Sequence, residues 1–70
     1  MILVFHLNPD APIRDVQNAA VRAAELGLEL VAEPRRCMLW IGYTVNRAAT
    51  ARRFGSVLFA HGIATTTAQA

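Results

Sequence analysis

Cysteine occurs once in these 70 residues, at Cys37, and lysine not at all. One thiol rules out an intrachain disulfide. With only His6 and His61 beside it, there are too few ligands for a closed zinc site. No run approaches the ~18–20 apolar residues of a membrane span. Met1-Ile2-Leu3-Val4-Phe5 is apolar but short, and no basic residue precedes it, so no targeting segment is expected. The expected setting is the cytoplasm, with a reduced thiol and no membrane partner. The four glycines (27, 42, 55 and 62) are dispersed and form no phosphate-binding loop. Nothing in the chain calls for a nucleotide, flavin or haem, so no cofactor and no metal are expected.

Acid is the most informative absence. All five acidic residues (Asp10, Asp15, Glu25, Glu29 and Glu33) precede residue 34, where only Arg14 and Arg22 oppose them. The remaining 37 residues hold five arginines (Arg35, Arg36, Arg47, Arg52 and Arg53) and no acid. A net charge of +2 therefore conceals a dipolar chain. Such a field does not specify a fold, but it steers an acidic partner toward one side.

Seventy residues make one domain near the lower size limit, where a single core rarely supplies more than ~3–5 kcal/mol. Apolar residues are 54% of the chain, more than so small an interior can use. Without disulfide or metal, a partner subunit is the remaining staple, and a homodimer is expected.

Residues 2–7 read as a strand, stopped by Asn8-Pro9-Asp10-Ala11-Pro12. Asp10 is an expected N-cap, with Pro12 in the first helical turn. Residues 12–26 have helical periodicity, with Ile13, Val16, Ala20, Ala23 and Ala24 on one face and Ala19 at its edge. Gly27 ends the helix in the left-handed region. Residues 28–33 alternate as a second strand, Pro34-Arg35-Arg36 turns, and residues 37–43 form the third. Helical spacing over 46–61 places Ala48, Ala51, Phe54, Gly55, Leu58 and Phe59 together. Thr44 or Asn46 caps this helix and His61-Gly62-Ile63 ends it. A break at Gly55, with Val57–Ala60 as a strand, is the competing reading. The helix is preferred because Ala48, Ala51 and Gly55 form a small-residue stripe. The expectation is an α/β (α+β) fold, β-α-β-β-α, with a three-stranded mixed sheet and both helices on one face. It is a single domain over 1–63 with a flexible tail at 64–70.

Alternation divides the strands into two faces. Leu3, Phe5, Leu7, Leu28, Leu30, Ala32, Cys37, Leu39, Ile41 and Tyr43 share one, which is uniformly apolar and expected under the helices. Ile2, Val4, His6, Glu29, Val31, Glu33, Met38, Trp40 and Gly42 share the other. Alternation does not say which is buried, and the reverse assignment would place Trp40 in the core. On the preferred assignment Val4, Val31, Met38 and Trp40 form an apolar surface rimmed by charge, the expected dimer interface.

The arginines follow the path of the chain. Arg35 and Arg36 sit at the hairpin turn, Arg47 at the far end, Arg52 and Arg53 midway along the returning helix, and His61 near the turn again. This is a stripe, suited to an extended acidic surface or a nucleic-acid backbone, toward which Asn46, Thr50 and Arg53 could point. The bland reading is solvated surface, with Arg35 or Arg36 paired to Glu33 or Glu29. Zinc-finger spacing and basic-aromatic interleaving are absent, and two strands separate the helices, which excludes a helix-turn-helix.

Cys37 follows two arginines, the cationic context in which reactive thiols occur, but no base or oxyanion donors accompany it, so no catalysis is expected. His6 reads as a strand residue. Asp10 and Asp15 read as helix-start charges. The expected function is that of a small non-enzymatic protein-interaction module, an inhibitor or adaptor acting on a larger complex. Its partner-binding residues are Val31, Arg35, Arg36, Met38, Trp40, Arg47, Arg52 and Arg53. The alternative is a nucleic-acid-binding accessory protein that contacts phosphates through the C-terminal arginines.

Overall fold

The structure, a computed structural model, describes residues 1–68. Along the chain, β1 (Ile2–Leu7), α1 (Ile13–Glu25), β2 (Glu29–Glu33), β3 (Met38–Gly42), α2 (Ala48–Ala60) and β4 (Ala64–Ala68) form a small α+β domain. Short 3-10 turns at Pro34–Arg36 and Val45–Arg47 precede β3 and α2. The sheet order is β2-β3-β1-β4, with every neighbouring pair antiparallel. This is the split β-α-β, ferredoxin-like connectivity.

Two features of the expected fold are corrected. The sheet has four strands and is antiparallel, where three mixed strands are expected from the sequence. β1 and β2 do run parallel across the α1 crossover, but β3 lies between them. The tight turn at Pro34–Arg36 returns β3 antiparallel beside β2, and its Leu39 and Ile41, both fully buried, belong at the sheet centre. The second correction concerns residues 64–68. They pair with β1 as a strand rather than trailing as a tail, with a register shift between His6 and Leu7. The rest of that expected tail, residues 69–70, lies outside the described residues.

Both helices end as the glycines dictate. Leu28 N–H donates to the Ala23 carbonyl (2.8 Å) and Gly27 N–H to that of Ala24 (3.1 Å), with Gly27 at φ 76°. Ile63 and Gly62 repeat the pattern onto Leu58 and Phe59, with Gly62 at φ 70°. These are Schellman endings, in which the left-handed residue lets two orphan carbonyls find donors.

The N-termini differ from expectation. Pro12, not Asp10, occupies the α1 cap. The Asp10 N–H donates instead to Asn8 Oδ1. The turn at Val45–Arg47 leads into α2, so neither Thr44 nor Asn46 caps it with a side chain.

Phe5, Leu28, Leu39, Ile41, Phe54, Leu58 and Ile63 build the core between sheet and helices, with Leu3, Leu7, Leu30, Ala32 and Tyr43 packed at its margin. The face expected under the helices is therefore the one they cover. α1 contributes Val16, Ala19 and Ala23. Its buried stripe is rotated from the expected one, leaving Ile13 and Ala24 exposed. α2 runs unbroken through Gly55 and buries Ala51, Phe54, Gly55 and Leu58.

Candidate functional site

With both helices on one side, the described residues place no layer over the other sheet face. Strand register arranges it in rows. Val31, Trp40 and Val4 form the middle row, continued on β4 at the position of Ala68. Glu29, Gly42 and Ile2 lie on one side of it, and Glu33, Met38, His6 and Thr66 on the other. Trp40 thus stands on an inner strand, in the central row.

Ile2 (51% exposed) and Val31 (45%) are open to solvent, while Met38 and Trp40 are half-buried. Val4 departs from expectation, being only 2% exposed although it lies on the uncovered face. Its cross-strand neighbour Trp40 is the bulkiest side chain in the row. A large ring beside a small side chain on a pleated surface shelters it. Val4 is thus a floor of this surface, not a contact point on it. The Trp40 indole nitrogen is itself shielded from solvent and finds no acceptor among the described residues. An unmet buried donor of this kind costs about 1–3 kcal/mol.

The acids rim one edge. Glu29 and Glu33 both project from β2 on this face, and a Cβ at Gly42 would touch the Glu29 side chain at 3.7 Å. Glu33 meets Arg36 at 3.6 Å across the turn, an exposed pair that contributes little by itself. Charged residues on an edge strand also discourage strand addition from outside.

The expected arginine stripe is divided among three places. Arg35 and Arg36 lie in the turn at one end of the sheet, with Arg36 engaged by Glu33. Arg47 lies at the other end, where a Cβ on Gly27 would approach its Nε to 3.2 Å. One strand of five residues, about 17 Å, separates these ends. Arg52 and Arg53 are exposed on α2, and neither forms an ion pair among the described residues. α2 and β4 carry no acid, so Arg52 and Arg53 stand on an acid-free side, while Arg35, Arg36 and Arg47 lie beside the acid-bearing elements.

Cys37 leaves the expected strand. It takes the left-handed conformation at φ 52°, ψ 47° after the 3-10 turn, half-buried and unpaired. Its N–H donates to the Pro34 carbonyl, and its own carbonyl accepts from Leu7 N–H. His61 lies in a groove between the helices lined by Asp15, Asn18, Arg22 and Phe54, which does not include Cys37. Among the described residues no three His, Cys, Asp or Glu side chains converge as a metal site, and no helix is long and apolar enough to cross a membrane. No protein-family model matches the chain, and no curated protein or solved structure matches it at a significant level.

Proposed function

We propose that this chain is a small non-enzymatic protein-interaction module, an inhibitor or adaptor that acts on a larger complex. The observation that carries the reading is the uncovered sheet face with Trp40 on an inner strand, between exposed Val31 and sheltered Val4. Aromatic residues in a central position, surrounded by lesser apolar contacts and rimmed by charge, make the anchors of protein interfaces. The acid-free α2 side, with Arg52 and Arg53, supplies a second surface suited to an acidic partner.

The test is capture of partners from host lysate by the tagged chain, with nuclease and without, beside Trp40→Glu and an Arg52→Glu/Arg53→Glu pair. A defined protein that survives nuclease and is lost with either variant supports the module. Capture unaffected by both variants overturns it.

A second reading is nucleic-acid binding, favoured by two exposed arginines on a helix without an acid. It requires phosphate contacts, and affinity then falls steeply with salt. Binding to a DNA or RNA duplex that does not weaken between low and high salt removes this alternative.

A further inference from the structure

We infer that the occupant of the uncovered sheet face is a second copy of this chain, stacked face to face about a two-fold axis parallel to the strands and passing between β3 and β1. The inference rests on the docking reading above and names its partner.

The register supplies the complementarity. A two-fold along the strands keeps each row at its own height and reverses the order of the strands within it. β3 of one copy then lies over β1 of the other, and β2 over β4. In the middle row Trp40 lies over the partner's Val4, and because Val4 is only 2% exposed the contact is made with the partner's Trp40 beside it. In the next row exposed Ile2 faces the partner's Gly42, where there is no side chain. On the far side Met38 faces the partner's His6, and Glu33 faces the partner's Thr66. The Ile2 row thus sets an apolar group over bare backbone, and the middle row brings the two indoles together.

Charge selects this axis over its rivals. A two-fold perpendicular to the strands would lay β2 over β2 and bring Glu29 and Glu33 against the partner's Glu33 and Glu29. Joining the sheets edge to edge through β2, centred on Val31, would set the same acids directly across from each other. Like charges in either position are repulsive and costly to desolvate. In the proposed stack the acids of β2 lie over the β4 side, which has none.

The area fits a modest dimer. Four strands spaced at about 4.8 Å, with five residues at about 3.3 Å, give a face of roughly 320 Å² in projection. The two copies together then cover about 640 Å² in projection, and more with side-chain relief, the size of a weak, transient interface. The helices then lie on the outside, so α2 with Arg52 and Arg53 stays free for a further partner.

The experiment is sedimentation equilibrium of the purified full-length chain across a concentration series, with fluorescence of Trp40, the only tryptophan. The mass should rise from 7.6 kDa toward twice that value, with a matching blue shift and reduced acrylamide quenching. Val31→Glu, at a position already exposed, and Trp40→Glu should each weaken association at least about tenfold, with far-UV circular dichroism unchanged for Val31→Glu. Glu33→Lys should leave dimerisation unchanged or weaken it, since Lys would stand near the partner's His6. Under the perpendicular axis it would strengthen the dimer instead, and strengthening overturns the proposed stack. A parent chain that remains at the monomer mass to about 1 mM, or a folded Val31→Glu that remains fully dimeric, overturns the self-association. The monomer result leaves the docking reading intact if lysate capture still depends on Trp40. Loss of that dependence removes the docking reading by a separate measurement.

Discussion

A Cβ placed on Gly55 would lie 2.6 Å from Cζ of Phe5, so the α2 backbone rests directly on the Phe5 ring. That ring is 4% exposed and meets Phe59 edge to face, with centroids 5.5 Å apart. Alanine at position 55 brings two opposed effects. Helix propensity favours it by about 1 kcal/mol, while overpacking a filled core costs about 1–3 kcal/mol. Because Phe5 is enclosed, the steric term should win. Gly55→Ala is expected to lower stability by about 1–2 kcal/mol, or roughly 4–16 °C in Tm for a domain of this size. Urea denaturation of Gly55→Ala, Phe5→Leu and the double variant checks it. The double variant should lose less than the sum of the singles, and strict additivity would deny the contact.

Asn8 fastens the end of β1 to the α2–β4 turn. Its N–H donates to the Ile63 carbonyl at 2.9 Å, its side-chain amide donates to the Gly62 carbonyl at 2.9 Å, and its Oδ1 accepts from Asp10 N–H. Asn8→Ala removes both side-chain bonds and is expected to cost about 1–2 kcal/mol. Asn8→Asp keeps the acceptor, loses the donor and should fall between. Hydrogen exchange should show β4 amides opening faster in Asn8→Ala before the global transition moves. Unchanged β4 protection would mean that this tie does not hold the strand.

Much of this fold was legible in local chemistry. Gly27 and Gly62 announce both helix ends because only glycine enters the left-handed region cheaply. The Ala48, Ala51 and Gly55 stripe announces a helix able to approach the sheet closely, which the Phe5 contact requires. The alternation of β1, β2 and β3 sorted their residues into covered and uncovered faces. What escaped depends on tertiary pairing. Ala64-Thr65-Thr66-Thr67-Ala68 has β-branched residues but little to bury, so its pairing with β1 is decided by the edge that β1 offers. The position of β3 between β1 and β2 follows from burial of Leu39 and Ile41, which local pattern does not rank. Val4 was assigned to the right face, yet alternation cannot show that Trp40 beside it shelters it. The arginines lie near the positions the chain path suggests, but Glu33 engages Arg36 and Arg47 rests on Gly27, so they do not act as one stripe.

That division gives the arginines separable roles. Arg36 is engaged in an exposed ion pair, and Arg36→Gln should change stability by no more than about 0.5 kcal/mol and partner binding little. Arg52 and Arg53 are free of acids on their own helix. For an acidic partner, Arg52→Glu/Arg53→Glu should slow association by about tenfold or more at low salt, with the difference shrinking as salt rises. Stopped-flow association rates at two ionic strengths distinguish this from a packing effect, which would persist in high salt.

Cys37 is the only non-glycine residue at positive φ among the described residues. A side chain in the left-handed region costs about 1–2 kcal/mol, and glycine there avoids that cost while adding roughly 0.5–1 kcal/mol of backbone entropy to lose. Cys37→Gly is therefore expected to be neutral to about 1 kcal/mol more stable, and Cys37→Asn close to it, since Asn tolerates this conformation. Cys37→Val should be worse than the parent by at least about 1 kcal/mol, because branching at Cβ worsens the same clash. Thermal melts of the three variants give the ranking. A chemical role for the thiol predicts a different outcome, with Cys37→Gly and Cys37→Asn stable yet inert in partner capture. On the interaction reading both retain capture, because Cys37 lies at the Pro34–Arg36 turn, outside β3, and its backbone bonds to Pro34 and Leu7 do not need the thiol.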